Sequence, residues 1–350
     1  MSIEKFINEA STHWMSSQGE QSDIVLSTRI RLARNSRDFR FPTLFSKEEA
    51  KLVTEQVQRA VEPLQLEWIK MSDLAPLERQ VLVEKHMISQ ELANKDEIGS
   101  AVISEDEQVS LLVNEEDHIR IQCMHPGMQL EAAYEQASQI DDVIEQSLAY
   151  AFDRQFGYLT SCPSNTGTGM RASVMMHLPA LTMMRQIERI VPAISRLGMV
   201  VRGSYGEGSE APGNIYQISN QLTLGKTEHE ILSELKQIVM RLIAHERRSR
   251  ELLMQKSKLP LEDKLFRSLG VITHARLLPS AEAAKCLSDV RLGIDIGFIQ
   301  NVDMSILNEL MIFMQPAFLQ QYAKEELSAE ERDVFRAQLF RERLQMKPQE

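Results

Sequence analysis

The 350-residue chain carries 50 acidic and 39 basic side chains, and a net charge of −11 argues against a general nucleic-acid binder, which needs a basic field to neutralise phosphates. With 43% hydrophobic and 25% charged residues it reads as a water-soluble globular protein long enough for two domains, without the run of ~18 apolar residues that crosses a bilayer. Cys123, Cys162 and Cys286 are too scattered for a disulfide framework or a zinc pattern, and residues 1–21 lack the apolar core of a signal peptide, so a reducing cytoplasm fits best.

In chain order, residues 3–18 predict a short amphipathic helix. Residues 23–35 alternate as a strand, with Ile24, Leu26, Thr28, Ile30 and Leu32 on one face and Ser27, Arg29 and Arg31 on the other. Taken alone, such basic residues commonly mark a solvated edge strand. Ser46 caps a helix reaching Val61, and the stretch 77–92 brings His86, read first as a core or surface imidazole. Residues 100–103 and 108–113 pair as strands; after the acidic turn 114–118, Ile119, Ile121 and Cys123 alternate with Arg120 and Gln122. Helical spacing covers 129–156 and 179–197.

Between those helices, residues 157–178 read as two strands joined by a specialised loop. Tyr158, Thr160 and Cys162 share a face of the incoming strand, while Met170, Ala172, Val174, Met176 and Leu178 form the apolar face of the outgoing one, with Arg171, Ser173 and Met175 opposite. Gly167 and Gly169 permit backbone geometry that a Cβ resists and leave N–H groups free to meet an anion. A strand from Met199 then enters a glycine-rich loop and returns over 214–220. Thr227 caps a long helix to Gln255, residues 256–260 look like a hinge, and 261–350 is helical throughout.

Four strings, Ser27-Thr-Arg-Ile-Arg31, Asn114-Glu-Glu-Asp-His-Ile-Arg120, Cys162-Pro-Ser-Asn-Thr-Gly-Thr-Gly-Met-Arg171, and Arg202-Gly-Ser-Tyr-Gly-Glu-Gly-Ser-Glu210 followed by Ile215-Tyr-Gln-Ile-Ser-Asn220, resemble in this order the motifs of the phosphagen (guanidino) kinases. That resemblance implies an α+β fold, an antiparallel sheet flanked by helices of the glutamine-synthetase-like kind. The periodicity adds an all-α C-terminal region, dividing the chain into a catalytic domain, 1–255, and a helical domain, 256–350. The same resemblance implies ATP with Mg2+, the metal held mainly by the nucleotide and no metal site of the protein's own. Nucleotide contacts then fall to Ser27, Thr28, Arg29, Ile30, Arg31, Arg120, Arg171, Ala172, Ser173, Val174, Met175, Arg202, Gly203, Ser204, Tyr205 and Gly206.

Attack by a guanidinium, whose pKa lies above about 12 and which has no free lone pair, requires that its charge be held and a proton withdrawn as the N–P bond forms. By the resemblance Glu116 and Glu207 supply the carboxylates, with Cys162 beside the acceptor in an orienting role. Two positions depart from the pattern. The family's adenine-contacting histidine falls at Ile103, leaving His86 as the nearest substitute, and Tyr205 stands where small-guanidine kinases often carry another arginine.

Only 26 residues precede Ser27, too few for the helical N-terminal domain that closes small-molecule phosphagen kinases over their acceptor. With the C-terminal helices, this makes the chain resemble the bacterial protein arginine kinase (McsB) family. That implies protein substrates including a heat-shock transcriptional repressor, a zinc-binding activator protein, a Clp unfoldase and a homodimer, with neither nucleic acid nor membrane bound directly. Arg332 and Arg336 lie four apart, a spacing more often found on a solvated helix face, but Arg332-Asp333-Val-Phe-Arg336-Ala337 is similar to that family's allosteric phosphoarginine motif. A kinase for free arginine or another small guanidine, or a non-catalytic phosphoarginine-binding adaptor, are the alternatives; the adaptor is expected to lose a motif glutamate or arginine, and none is lost.

Overall fold

A computed structural model describes residues 3–10, 12–16, 18–95, 97–203 and 211–344. Its centre is an eight-stranded antiparallel sheet of β1 (Val25–Arg34), β2 (Glu67–Lys70), β3 (Ser100–Ile103), β4 (Val109–Val113), β5 (Ile119–Pro126), β8 (Met170–His177), β9 (Met199–Gly203) and β10 (Ile215–Asn220), in the order β2-β3-β4-β5-β1-β8-β10-β9. The remaining pair, β6 (Phe152–Asp153) and β7 (Gly157–Tyr158), forms a separate small hairpin. The longest strand, β1, lies near the middle of the sheet and so has partners on both edges, which makes a solvated edge impossible for its arginines.

Alternation on these strands sorts the side chains between two faces. Ile30 and Leu32, with Ile119, Ile121, Ala172, Val174 and Ile218, pack against α2 (Lys47–Val61), α5 (Leu130–Glu145), α7 (Ile187–Ser195) and α8 (Glu228–Lys256). The other face buries Leu26, Ile103, Leu112, Met124 and Met175 among α1 (Glu4–Asn8), α3 (Pro76–Glu84), α4 (Gln90–Ala93) and the C-terminal helices, leaving its arginine-bearing centre at a cleft.

The C-terminal helices are α9 (Lys258–His274), α10 (Ser280–Asp295), α11 (Met304–Phe313), α12 (Pro316–Ala323) and α13 (Ala329–Arg343), and α9 begins after a single non-helical residue, Ser257. Leu265, Leu287, Phe313, Phe318 and Phe340 from them share one apolar cluster with Phe6, Trp14, Met71 and Leu82. Glu84, at the end of α3, accepts hydrogen bonds from the Ala317 and Phe318 N–H groups at 2.8 and 2.7 Å, capping the start of α12 from the other side of the seam. Among the described residues no helix is long and apolar enough to cross a membrane.

Five expectations change. Leu26 leaves the face of Ile30 because the register slips between Val25 and Ser27, and one extra residue there reverses the alternation. The helix expected over 129–156 stops at Glu145: the Ala151 N–H bonds the Asn35 carbonyl at 2.7 Å and Ser36 bridges Tyr150, so the end of β1 captures the following chain. The helix expected over 179–197 is two, α6 (Pro179–Met183) and α7, parted by Arg185 at φ 54°. The N-terminal helix covers only residues 4–8, and the strand expected before the cysteine is limited to β7.

Candidate active site

Strand register gathers the arginines. Arg31 on β1 sits opposite Arg171 on β8, Ala33 is opposite Arg120 on β5, and Gln217 on β10 is opposite Arg202 on β9. Arg29 donates to Gln217 Oε1 and Arg171 to Ser219 Oγ, each at 3.1 Å, while Arg120 donates to Glu115 at 2.5 Å and to Glu116 at 2.8 Å. Among the described residues, the buried Nε groups of Arg31 and Arg171 have no hydrogen-bond partner. Burial, and then the positive charges of Arg171 and Arg120, bring the Arg29 guanidinium down to about 10. Burial followed by Arg29, Arg120 and Arg171 pulls Arg31 well below its usual value, and burial with Arg202 and Arg120 lowers Arg171. Crowded cations with orphaned donors are a site shaped for an anion with several oxygens, so these residues fit a polyphosphate.

An open cleft is lined by Arg31, Arg120, Arg171, Glu116, Cys162 and Asn165, which puts a carboxylate and a thiol beside the cationic cluster. Half-buried Glu116 accepts from Arg120 and, at 3.5 Å, from Asn165 Nδ2. Burial raises its pKa; Arg120 opposes the shift while Asp117, Glu115 and Glu91 add to it. Cys162 Sγ lies 3.0 Å from Ser164 Oγ. The other thiols lie elsewhere: Cys123 is buried and pushed up to about 12, and burial also raises Cys286.

The loop that presents Cys162 owes its shape to its two glycines. A Cβ on Gly167, at φ 120°, would stand 2.2 Å from the Thr223 carbonyl oxygen, and one on Gly169, at φ 62°, would stand 2.6 Å from that of Ala33. Only glycine lets the loop lie this close to the neighbouring backbone. The Thr223 hydroxyl then donates to the Thr166 carbonyl at 2.7 Å, with the Ser164 carbonyl 3.0 Å away, fixing the far side.

The residues expected in the site thus divide. Arg29, Arg31, Arg120, Arg171, Glu116 and Cys162 converge, and Ser173 lies buried with its hydroxyl 3.4 Å from the Arg29 carbonyl. Ile30, Ala172 and Val174 face the opposite core, Thr28 bonds the Gly127 carbonyl at 2.7 Å, and Ser27 and Met175 are cross-strand neighbours. Arg202 is exposed at the end of β9 beside buried Gly203; Ser204, Tyr205, Gly206 and Glu207 lie outside the described residues. His86 turns the chain between α3 and α4 at φ 61°, its ring edge-on to Trp14 at 5.5 Å, and burial with the Arg29 charge lowers it to about 3.

On α13, Arg336 is 2% exposed: its Nε donates to the Met314 carbonyl at 3.0 Å and its Nη1 to the Leu278 carbonyl and to Asp333. Arg332 is half-buried, donating to the Leu327 carbonyl at 2.7 Å, and Ala337 is buried, so the pair does not present two open guanidinium forks side by side. Reading the motifs missed Arg34, Asn35, Asp117 and Asp141, which hold the site together. Arg34 donates to Asp141 through Nε and Nη2 and to the Thr168 carbonyl, with its guanidinium 3.5 Å over the Tyr158 ring.

Residues 48–249 match the family described as ATP:guanido phosphotransferase, C-terminal catalytic domain, and residues 258–350 match the protein-arginine kinase McsB C-terminal domain. The chain is 59% identical to a protein-arginine kinase of Geobacillus stearothermophilus over 352 aligned positions, covering 99% of this chain and 97% of that one. A protein-arginine kinase of Bacillus cereus is 53% identical, with 99% of each covered. Among solved structures, the duplicated taurocyamine kinase from Schistosoma mansoni with bound transition-state analogue components aligns at a TM-score of 0.59 and 28% identity, over 69% of this chain and 35% of that one. Lombricine kinase aligns at 0.58 and 26%, over 68% and 70%. Sheet, cleft and sequence agree that the chain belongs to the protein-arginine kinase family of ATP:guanido phosphotransferases.

Proposed function

We propose that the chain transfers the γ-phosphoryl group of ATP to arginine side chains of proteins. The observation that carries this reading is the single cleft in which Glu116 and Cys162 adjoin Arg31 and Arg171, whose buried Nε groups have no partner among the described residues. Arg29, Arg31, Arg120, Arg171 and Arg202 take the phosphate oxygens, where preorganised cations stabilise developing charge better than water does. Bound Mg2+ supplies further charge neutralisation from the nucleotide side. Glu116, with Glu207 as its partner, holds the acceptor guanidinium and takes its proton as the N–P bond forms and the bond from the γ-phosphorus to the ADP oxygen breaks. His86, neutral beside Arg29, is the candidate for the adenine contact.

Two substrates separate the readings. With Mg-ATP, acid-labile phosphate is expected on an unfolded arginine-rich protein and not on free arginine at matched concentration. Equal or better labelling of free arginine would make this a small-guanidine kinase, and labelling of neither would leave an adaptor.

The division into a kinase unit, 1–255, and a helical regulatory unit, 256–350, belongs to the same proposal, supported by the match of residues 258–350 to a McsB domain. So do a cytoplasmic location, a homodimer, a zinc-binding activator, a heat-shock repressor as substrate and a Clp unfoldase receiving the modified proteins. Phosphoarginine is proposed to bind at Arg332, Asp333, Arg336 and Ala337, with half-buried Arg332 the group open to it. Arg332→Ala is expected to keep basal turnover and lose any stimulation by added phosphoarginine. Stimulation undiminished in that variant would remove Arg332 from the site.

A further inference from the structure

Asp117 follows Glu116 and is 0% exposed. Its Oδ1 accepts two hydrogen bonds at 2.7 Å, from Asn35 Nδ2 and from the backbone N–H of Ser161, the residue before Cys162. Asn35, just beyond β1, also donates to the Leu159 carbonyl at 3.1 Å and accepts from the His118 N–H at 2.8 Å. Three segments meet on these two side chains: the end of β1, the turn bearing Glu116 and the loop bearing Cys162.

The second oxygen of Asp117 is buried with no hydrogen-bond partner among the described residues, and no ion pair there involves this carboxylate. An asparagine could accept both observed hydrogen bonds without the cost of burying a charge. The two hydrogen bonds of the junction therefore do not by themselves require a negative charge on Asp117. Its neighbour Glu116 faces Arg120, shares the cleft with Arg31, Arg171 and Cys162, and has Glu115 and Glu91 as further acidic neighbours. Burial raises Glu116 against the arginine that would hold it ionised and weakly basic, and the like charge of Asp117 adds to that rise.

We infer that Asp117 is a positioning residue of the transfer reaction, fixing the Glu116 turn against the Cys162 loop while its buried charge keeps Glu116 able to accept a proton. This rests on the reading of Glu116 as the proton acceptor. Asp117→Ala is expected to lower kcat about 100-fold while the KM for ATP moves by less than about threefold, the signature of misplaced reacting groups rather than lost nucleotide binding. Asp117→Asn keeps the acceptor oxygen and should recover about tenfold of that loss, with the acid limb of its kcat–pH profile displaced to lower pH because Glu116 has lost a like-charged neighbour.

A kcat for Asp117→Ala within about threefold of the parent, or a loss matched by an equal rise in the KM for ATP, would overturn the inference. Should the alanine variant melt before assay, Asp117→Asn decides alone: an unmoved acid limb overturns the role, and a displaced one supports it. Glu116→Gln, assayed alongside, separates the two layers, since turnover retained there refutes the proton-acceptor reading whatever Asp117 does.

Discussion

Glu116→Gln is expected to bind Mg-ATP as the parent does and to lose roughly 1,000-fold in kcat, within the range by which a positioned general base accelerates a proton transfer. The amide keeps the size of the side chain and can still accept from Arg120, so the arginines that take the phosphates stay in place. What it cannot do is balance the acceptor's positive charge or receive its proton, and both are needed before a guanidinium nitrogen can attack. Nucleotide titration followed by single-turnover transfer to protein separates the two effects. Near-normal turnover with nucleotide still bound would exclude a carboxylate mechanism at this position.

Arg34→Ala is expected to cost about 3–5 kcal/mol of stability, the magnitude for removing one partner of a buried ion pair. The Arg34 and Asp141 side chains are 3% and 11% exposed and 2.6 Å apart, and Asp141 accepts a further hydrogen bond from the Tyr150 hydroxyl at 2.8 Å. Losing the guanidinium strands that carboxylate and also releases the Thr168 carbonyl and the Tyr158 ring, which anchor the loop of Cys162. Replacing both charges, as Arg34→Met with Asp141→Leu, should restore most of the loss because neither change then leaves a buried ion alone. Urea unfolding of the two variants checks this; equal destabilisation in both would place the effect in packing rather than charge.

Alternation within β1 predicted the separation of Arg29 and Arg31 from Ile30 and Leu32, because a central strand buried on one face and polar on the other must alternate. It failed at Leu26, where a bulge depends on the paired strand and leaves no mark in the sequence of β1 itself. Motif reading named Glu116, Cys162 and Arg171, which the fold brings to one cleft. It passed over Arg34, although an arginine in the apolar phase of a strand, like Asp141 between Ile140 and Ile144 on α5, signals a buried partner. Sequence could not pair those two, since 107 positions separate them. Spacing on α13 likewise set Arg332 and Arg336 on one side of a helix without saying that Leu278 and Met314 cover Arg336.

The single apolar cluster spanning Ser257 bears on how loss of the helical region can be interpreted. A chain cut there would uncover Phe6, Trp14, Met71 and Leu82 and remove the backbone donors that Glu84 caps, so a truncated protein would be sticky and damaged before any question of control arose. Inactivity of such a fragment is uninformative about signalling. Single changes at the surface of α13, which leave the seam closed, are the perturbations from which regulation can be learned.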